Sequence, residues 1–303
     1  MNEKIKCKKC GLLIDEDSNI CPYCGFPVHH EDEDKTEPLK GEVVEHPHHQ
    51  ETQKRSFNPF QFESREFKTS IYKQIVCFLI GFVGLQLISL LISVIIKAVN
   101  PYYLLTITYQ GMVNFAIYSI LFGVLLLVIN KELIPLLNDF KIPKTWLNGI
   151  GNGFILIVVS TIVSMIFNLM ATAILGSSSV NNNEAGINSI QSVYPFASII
   201  IFGIIGPICE EITYRLGFFS LLKRANRVVA YVGVAILFGL IHFDYSTTGA
   251  ALANEFFNLP SYIVAGVLLS YFYDKYGLSN SILAHITNNL FAIIVGLITT
   301  RLI

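Results

Sequence analysis

Glu210, Glu211 and Arg215 bring two carboxylates and a guanidinium into one of the most apolar stretches of the chain, where no charged residue occurs from Tyr194 to Cys209. A carboxylate in hydrocarbon is costly, so such a residue faces a cavity, a partner or water. On a helix Glu211 and Arg215 are i,i+4 neighbours that can neutralise one another. Glu210 is turned about 100° away and has no such local partner. A structural ion pair at a helix end and a reactive carboxylate explain this stretch equally well. Two further motifs carry polar groups in apolar surroundings. Phe238-Gly-Leu-Ile-His242 ends one apolar segment, and His285-Ile-Thr-Asn-Asn289 places an imidazole and an amide on one side of another. Taken singly, each histidine reads as a hydrogen-bonded core side chain.

The hairpin arithmetic alters that reading. Glu210 lies sixteen residues before Asn226, and His242 lies sixteen after it. In an antiparallel helical hairpin turning at Asn226, equal arms hold both at one depth, about 20–24 Å from the turn. His285 and Asn289 enter from the same side after a turn near Gly277. Two carboxylates, two imidazoles and an amide can therefore converge in one cavity. A carboxylate so placed is suited to act as a general base, and amide and imidazole N–H groups suit an oxyanion. No serine or cysteine stands out as a nucleophile, so direct attack by water is the simpler chemistry.

The elements that must hold these residues are membrane helices. Hydrophobic residues make up 52% of the 303 and charged residues 14%, against about a quarter charged in soluble domains, and the mean hydropathy is +0.55. Apolar segments fall at about 74–96, 111–130, 147–175, 195–222, 228–243, 256–273 and 280–300. A crossing helix needs roughly 20 residues, which makes the fifth and sixth short. The expected fold is an all-α polytopic membrane protein with about seven transmembrane helices, embedded in the cell membrane over 71–303. Arg55, Arg65, Lys68 and Lys73 precede the first segment. Lys131, Lys141 and Lys144 follow the second, Lys223, Arg224 and Arg227 the fourth, and Lys275 the sixth. The other side shows only Lys97 and Arg301, so the N-terminus is expected in the cytoplasm and the C-terminus outside. The net charge of −1 points to no partner, and nothing calls for nucleic acid; the bilayer is the partner the composition requires.

Cys7-Lys-Lys-Cys10-Gly and Cys21-Pro-Tyr-Cys24-Gly are two knuckles ten residues apart. Each turn points two thiolates at one centre, and together they close a tetrahedral zinc site with no open position. Residues 1–28 are thus expected to be a small zinc ribbon that needs its structural Zn2+ to fold. It resembles ribbons attached to bacterial membrane proteins, and a cytosolic partner or substrate is its expected target. Residues 29–70 read as a disordered His-rich and acidic linker.

Glu210-Glu211-x-x-x-Arg215, Phe238-x-x-x-His242 and His285-x-x-x-Asn289, in that order on successive apolar segments, resemble the CAAX protease and bacteriocin-processing (CPBP, or Abi) family of intramembrane endopeptidases, which includes the type II CAAX prenyl proteases. The resemblance covers about 195–295. It implies a glutamate-dependent hydrolase working at a water-filled cavity open to the cytosol, on a membrane-associated or lipidated peptide or protein. Glu210 would be the general base that holds water with His242. His285 and Asn289 would stabilise the oxyanion, with Glu211 and Arg215 in support. The same motifs fit an immunity or binding protein of the same fold that cleaves nothing. A proton-relaying transporter is the further alternative, though no paired halves or broken helices are visible. Glu210, His242 and His285 also make a familiar set for catalytic zinc. Asn289 is a poor zinc ligand and a good oxyanion donor, so the cavity is expected to hold water and no cofactor.

Overall fold

Long uncharged runs leave the backbone no partner but itself, and helices satisfy it. The structure of the protein is a computed structural model that describes residues 4–7, 13–15, 18, 28, 64–65, 69–100, 102 and 106–302, in two units, Met1–Phe57 and Asn58–Ile303. The second unit contains α1 (Ile71–Val99), α2 (Ile107–Val128), α3 (Leu133–Asp139), α4 (Pro143–Leu175), α5 (Asn182–Val193), α6 (Pro195–Lys223), α7 (Arg227–Leu240), α8 (Gly249–Tyr276) and α9 (Leu278–Leu302). Side chains supply the exposed N–H groups at several starts. Ser70 Oγ accepts from Lys73 N, Asn181 Oδ1 from Glu184 N, and Asn226 Oδ1 from Val228 and Val229 N. Gly176 ends α4 and Gly277 joins α8 to α9 at φ of 78° and 93°, backbone that favours glycine.

Side-chain bonds define two ends of the bundle. At one end the buried Asp274 accepts from Lys223 Nζ, Arg227 Nε and Ser64 Oγ at 2.7, 2.7 and 2.8 Å. Arg224 Nε there reaches Gln74 Oε1 at 2.8 Å, and Ser279 Oγ donates to Asp139 Oδ2 at 3.1 Å. This end gathers the starts of α1, α7 and α9 with the ends of α6 and α8. At the other end Asn181 Nδ2 donates to His242 O at 3.0 Å, Asn182 N to Glu255 Oε1 at 2.8 Å, and Ser179 N to Asn254 Oδ1 at 3.1 Å. The chain therefore alternates between ends along α6, α7, α8 and α9.

Six helices are long and apolar enough to cross a membrane: α1, α2, α4, α6, α8 and α9. The fifth apolar segment is short, as expected. It yields α7, of 14 residues and about 21 Å, against a hydrocarbon thickness of about 30 Å. The helix stops because Ile241 to Phe243, apolar enough to continue it, form a turn instead, fixed by Asn181 on His242 O and by Glu255 Oε2 accepting from Asp244 N. The sixth is longer than its apolar run. Asn254 and Glu255 belong to the first turns of α8 and are buried by their bonds to Ser179 and Asn182. Thus about seven crossing helices become six of crossing length and one short one.

α6 is the most enclosed of the spans, and Ile212, Arg215, Leu216 and Phe219 are wholly buried in it or nearly so. Its segments Ile201–Ile205 and Glu211–Phe219 are widened π turns, and α1 carries another at Ile80–Gly84. Such turns concentrate at functional sites. α1 reaches α6 through two glycines. A Cβ on Gly81 would overlap Thr213, and one on Gly217 would lie 2.9 Å from Phe78 N.

In the first unit β1 (Lys4–Lys6) pairs antiparallel with β2 (Leu13–Asp15), Ile5 facing Ile14. Cys7, directly after β1, is buried beside Ile14, with Val28 packed against them. Cys10, Cys21 and Cys24 and linker residues 29–63 lie outside the described residues. The last part of the stretch read as linker is tied to the second unit: Arg65 N donates to Asp274 O at 2.9 Å and Arg224 to Thr69 O at 3.1 Å.

Candidate active site

Glu210 and Glu211 share a helix and have different surroundings. Glu211 is fully buried; its Oε1 accepts from His285 Nδ1 at 2.8 Å and lies 3.0 Å from an Arg215 guanidinium nitrogen. That pairing is Coulombic, because no guanidinium nitrogen meets hydrogen-bond geometry. The Arg215 guanidinium carbon instead lies over the Phe238 ring, 4.5 Å from its centroid, where the ring face attracts a cation. Glu210 keeps 21% of its side chain exposed and lines a cavity of about 1070 Å³. Its Oε2 has no hydrogen-bond partner among the described residues.

Phe238 explains its motif. Its carbonyl accepts from His242 Nδ1 at 2.7 Å, and its ring packs 4.8 Å from His242 and 6.0 Å from His285. A carbonyl only accepts, so His242 carries its proton on Nδ1 and Nε2 presents a lone pair. Tyr262 stacks on the other face of His242 at 4.4 Å and 15°. His285 is held in the same tautomer by Glu211, and its Nε2 lies 3.8 Å from Glu210 Oε2. Asn289 donates from Nδ2 to Phe202 O at 3.0 Å and accepts on Oδ1 from Asn288 at 3.1 Å. One Asn289 N–H therefore remains for another acceptor.

Glu210, His242, His285 and Asn289 all line the one cavity, while Glu211 and Arg215 stand behind it. Sequence reasoning missed Asn288, Tyr262 and Asn181, the last buried and bonded to His242 O, Tyr262 and Glu184 N. Asn288 adjoins a motif residue and could have been found; Asn181 and Tyr262 offered no spacing signal. The cavity also reaches Gln110, Asn114, Thr299 and residues 182–191 of α5. It thus extends beneath α5, at the end away from the basic cluster of Lys223 and Arg227.

The Nδ1–H of each histidine is given to Phe238 O or to Glu211, which leaves Nε2 as the nitrogen turned to the cavity. Among the described residues no three His, Cys, Asp or Glu side chains are grouped to hold a metal ion. On the rim, outside the spans, Asn182 and Ser246 donate to Asp244 and hold its carboxyl below the usual range.

Residues 192–291 match the family described as Type II CAAX prenyl endopeptidase Rce1-like. The Rce1-like span holds Glu210, Glu211, Arg215, His242, His285 and Asn289 and covers about a third of the chain. The UPF0177 protein YvdC of Lactococcus lactis subsp. lactis (strain IL1403) is 24% identical over 147 residues, 48% of this chain and 51% of that protein. The chain thus spans about half the length of that curated relative. No solved structure matches. Six apolar helices and a domain similar to membrane proteases make the chain a multi-pass membrane protein.

Proposed function

We propose that the chain is an intramembrane endopeptidase in which Glu210 activates water against a peptide carbonyl of a membrane-associated or lipidated substrate. The observation that carries this reading is the single cavity onto which Glu210, His242, His285 and Asn289 face, within the Rce1-like span. Water sits between the Glu210 carboxylate and the His242 Nε2 lone pair. Glu210 takes a proton as the hydroxide oxygen adds to the carbonyl carbon. The remaining Asn289 N–H receives the oxyanion. His285, with its Nδ1–H given to Glu211, can add an Nε2–H only as the imidazolium. The C–N bond then breaks, and Glu210 passes its proton to the leaving amine. Glu211 and Arg215 are positioning residues that fix the His285 ring. No step passes through a metal.

The test is Glu210→Gln in full-length protein in lipid nanodiscs, which keeps the shape and removes the base. Turnover of membrane peptides should be abolished with unfolding unchanged. Asn289→Ala should lower kcat by about 10²–10³. A Glu210→Gln protein that still cleaves would refute the glutamate mechanism. At the N-terminus, Cys7, Cys10, Cys21 and Cys24 are proposed to hold one structural zinc in a module that recruits a cytosolic partner.

A further inference from the structure

Glu184 is the other carboxylate that lines the cavity, and the mechanism leaves it unused. It occupies the third position of α5, where its backbone N–H is capped by Asn181 Oδ1 at 2.9 Å. In a reciprocal capping box its carboxylate would turn back to the Asn181 N–H; no such bond and no ion pair to Glu184 is found among the described residues. Its side chain is exposed where it lines the cavity.

The rest of the lining sets the sign of the cavity. Among the described lining residues there is no lysine or arginine, and the polar ones near α5 are neutral amides and hydroxyls such as Gln110, Asn114, Asn168 and Asn188. An ammonium or guanidinium would meet a carboxylate that has no partner.

We propose that Glu184 is the receptor for a cationic group of the peptide substrate, a lysine or arginine side chain or a free amino terminus. This rests on the peptidase reading. Glu184 sets specificity and takes no part in bond breaking. Ammonium or guanidinium on a carboxylate makes a charge-assisted hydrogen bond, stronger than the neutral bonds the amides offer.

The experiment uses full-length protein in nanodiscs and a defined set of synthetic peptides, each made with Lys, Gln or Glu at one scanned position and with a free or acetylated amino terminus. Cleavage is read by mass spectrometry, and binding by fluorescence anisotropy on Glu210→Gln protein. Lys peptides should be bound and cut about tenfold better than their Gln counterparts. Glu184→Gln should bring that ratio to about one, and Glu184→Lys should turn it toward the Glu peptides. Each ratio is internal to one preparation, so loss of folded protein does not imitate the result. A preference that moves with acetylation assigns the receptor to an amino terminus; one that moves with Lys assigns it to a side chain. Equal handling of the peptides by the wild type, or a Lys preference that survives in Glu184→Gln, overturns the proposal. Lys-selective binding that needs Glu184, with none of the peptides cut, supports the receptor and overturns the peptidase.

Discussion

Glu211→Gln isolates what the second carboxylate does. In the wild type its charge lies 3.0 Å from the Arg215 guanidinium, and both side chains are wholly buried. Removing the charge leaves an uncompensated cation in a dry core, which costs about 3–5 kcal/mol, a large part of the stability of a typical domain. Glutamine keeps an oxygen where His285 Nδ1–H is accepted at 2.8 Å, so the ring should stay in place. Glu211→Leu removes that acceptor too and should cost a further ~1–3 kcal/mol for the orphaned donor. The decisive variant is the double, Glu211→Gln with Arg215→Met, which removes both charges and leaves an apolar side chain against Phe238. Buried ion pairs replaced by apolar groups are often neutral, so the double should lose less than either single, with a coupling of about 2 kcal/mol or more. Reversible unfolding in mixed micelles measures the cycle. Additive losses, or a Glu211→Gln loss below about 1 kcal/mol, would show that the pair is hydrated or uncoupled and refute the reasoning.

Gly217→Ala puts a Cβ 2.9 Å from Phe78 N and 3.1 Å from Gln74 O, backbone that cannot step aside, and should destabilise by about 1–3 kcal/mol in the same unfolding assay. Asp244 has a depressed carboxyl, so its bonds to Asn182 and Ser246 help hold the rim fully above the ordinary aspartate range, near about pH 4, and this help is lost as pH falls through that range toward the lowered value. Hydrogen exchange over 180–190 should therefore quicken at low pH in the wild type, with a weaker pH response in Asp244→Asn. Metal analysis of the full chain should find one zinc, lost in Cys21→Ser with Cys24→Ser while peptide cleavage persists.

Local chemistry was legible in the sequence; distant contacts were not. The i,i+4 relation of Glu211 to Arg215 and the equal arms around Asn226 needed only helical spacing. Hydropathy found every long span and the shortness of α7 but underestimated α8, whose first turns carry the polar Asn254 and Glu255, seated by bonds to Ser179 and Asn182 far along the chain. The roof of the cavity was invisible for the same reason. α5 is polar and short, and what seats it is a set of amide bonds to His242, Asp244 and Glu255. The π turns left no pattern either. Two of them hold Gly81 and Gly217, through which α1 closes on α6.

The two adjacent glutamates illustrate why spacing stops short of function. Rotation about one helix sends Glu211 inward, onto Arg215 and His285, and leaves Glu210 on the cavity wall with an unpartnered oxygen. The first arrangement makes a buried charge tolerable by pairing it; the second leaves Glu210 Oε2 with no hydrogen-bond partner among the described residues. Each depends on the other. Without the Glu211 acceptor His285 has no fixed tautomer, and with no fixed ring the group 3.8 Å from Glu210 is undefined. Because Phe238 touches Arg215, His242 and His285 at once, the structural ion pair and the reactive wall are one packed unit. Under the proposed mechanism the two readings that stood level on the sequence become halves of the same site, the ion pair holding what Glu210 needs.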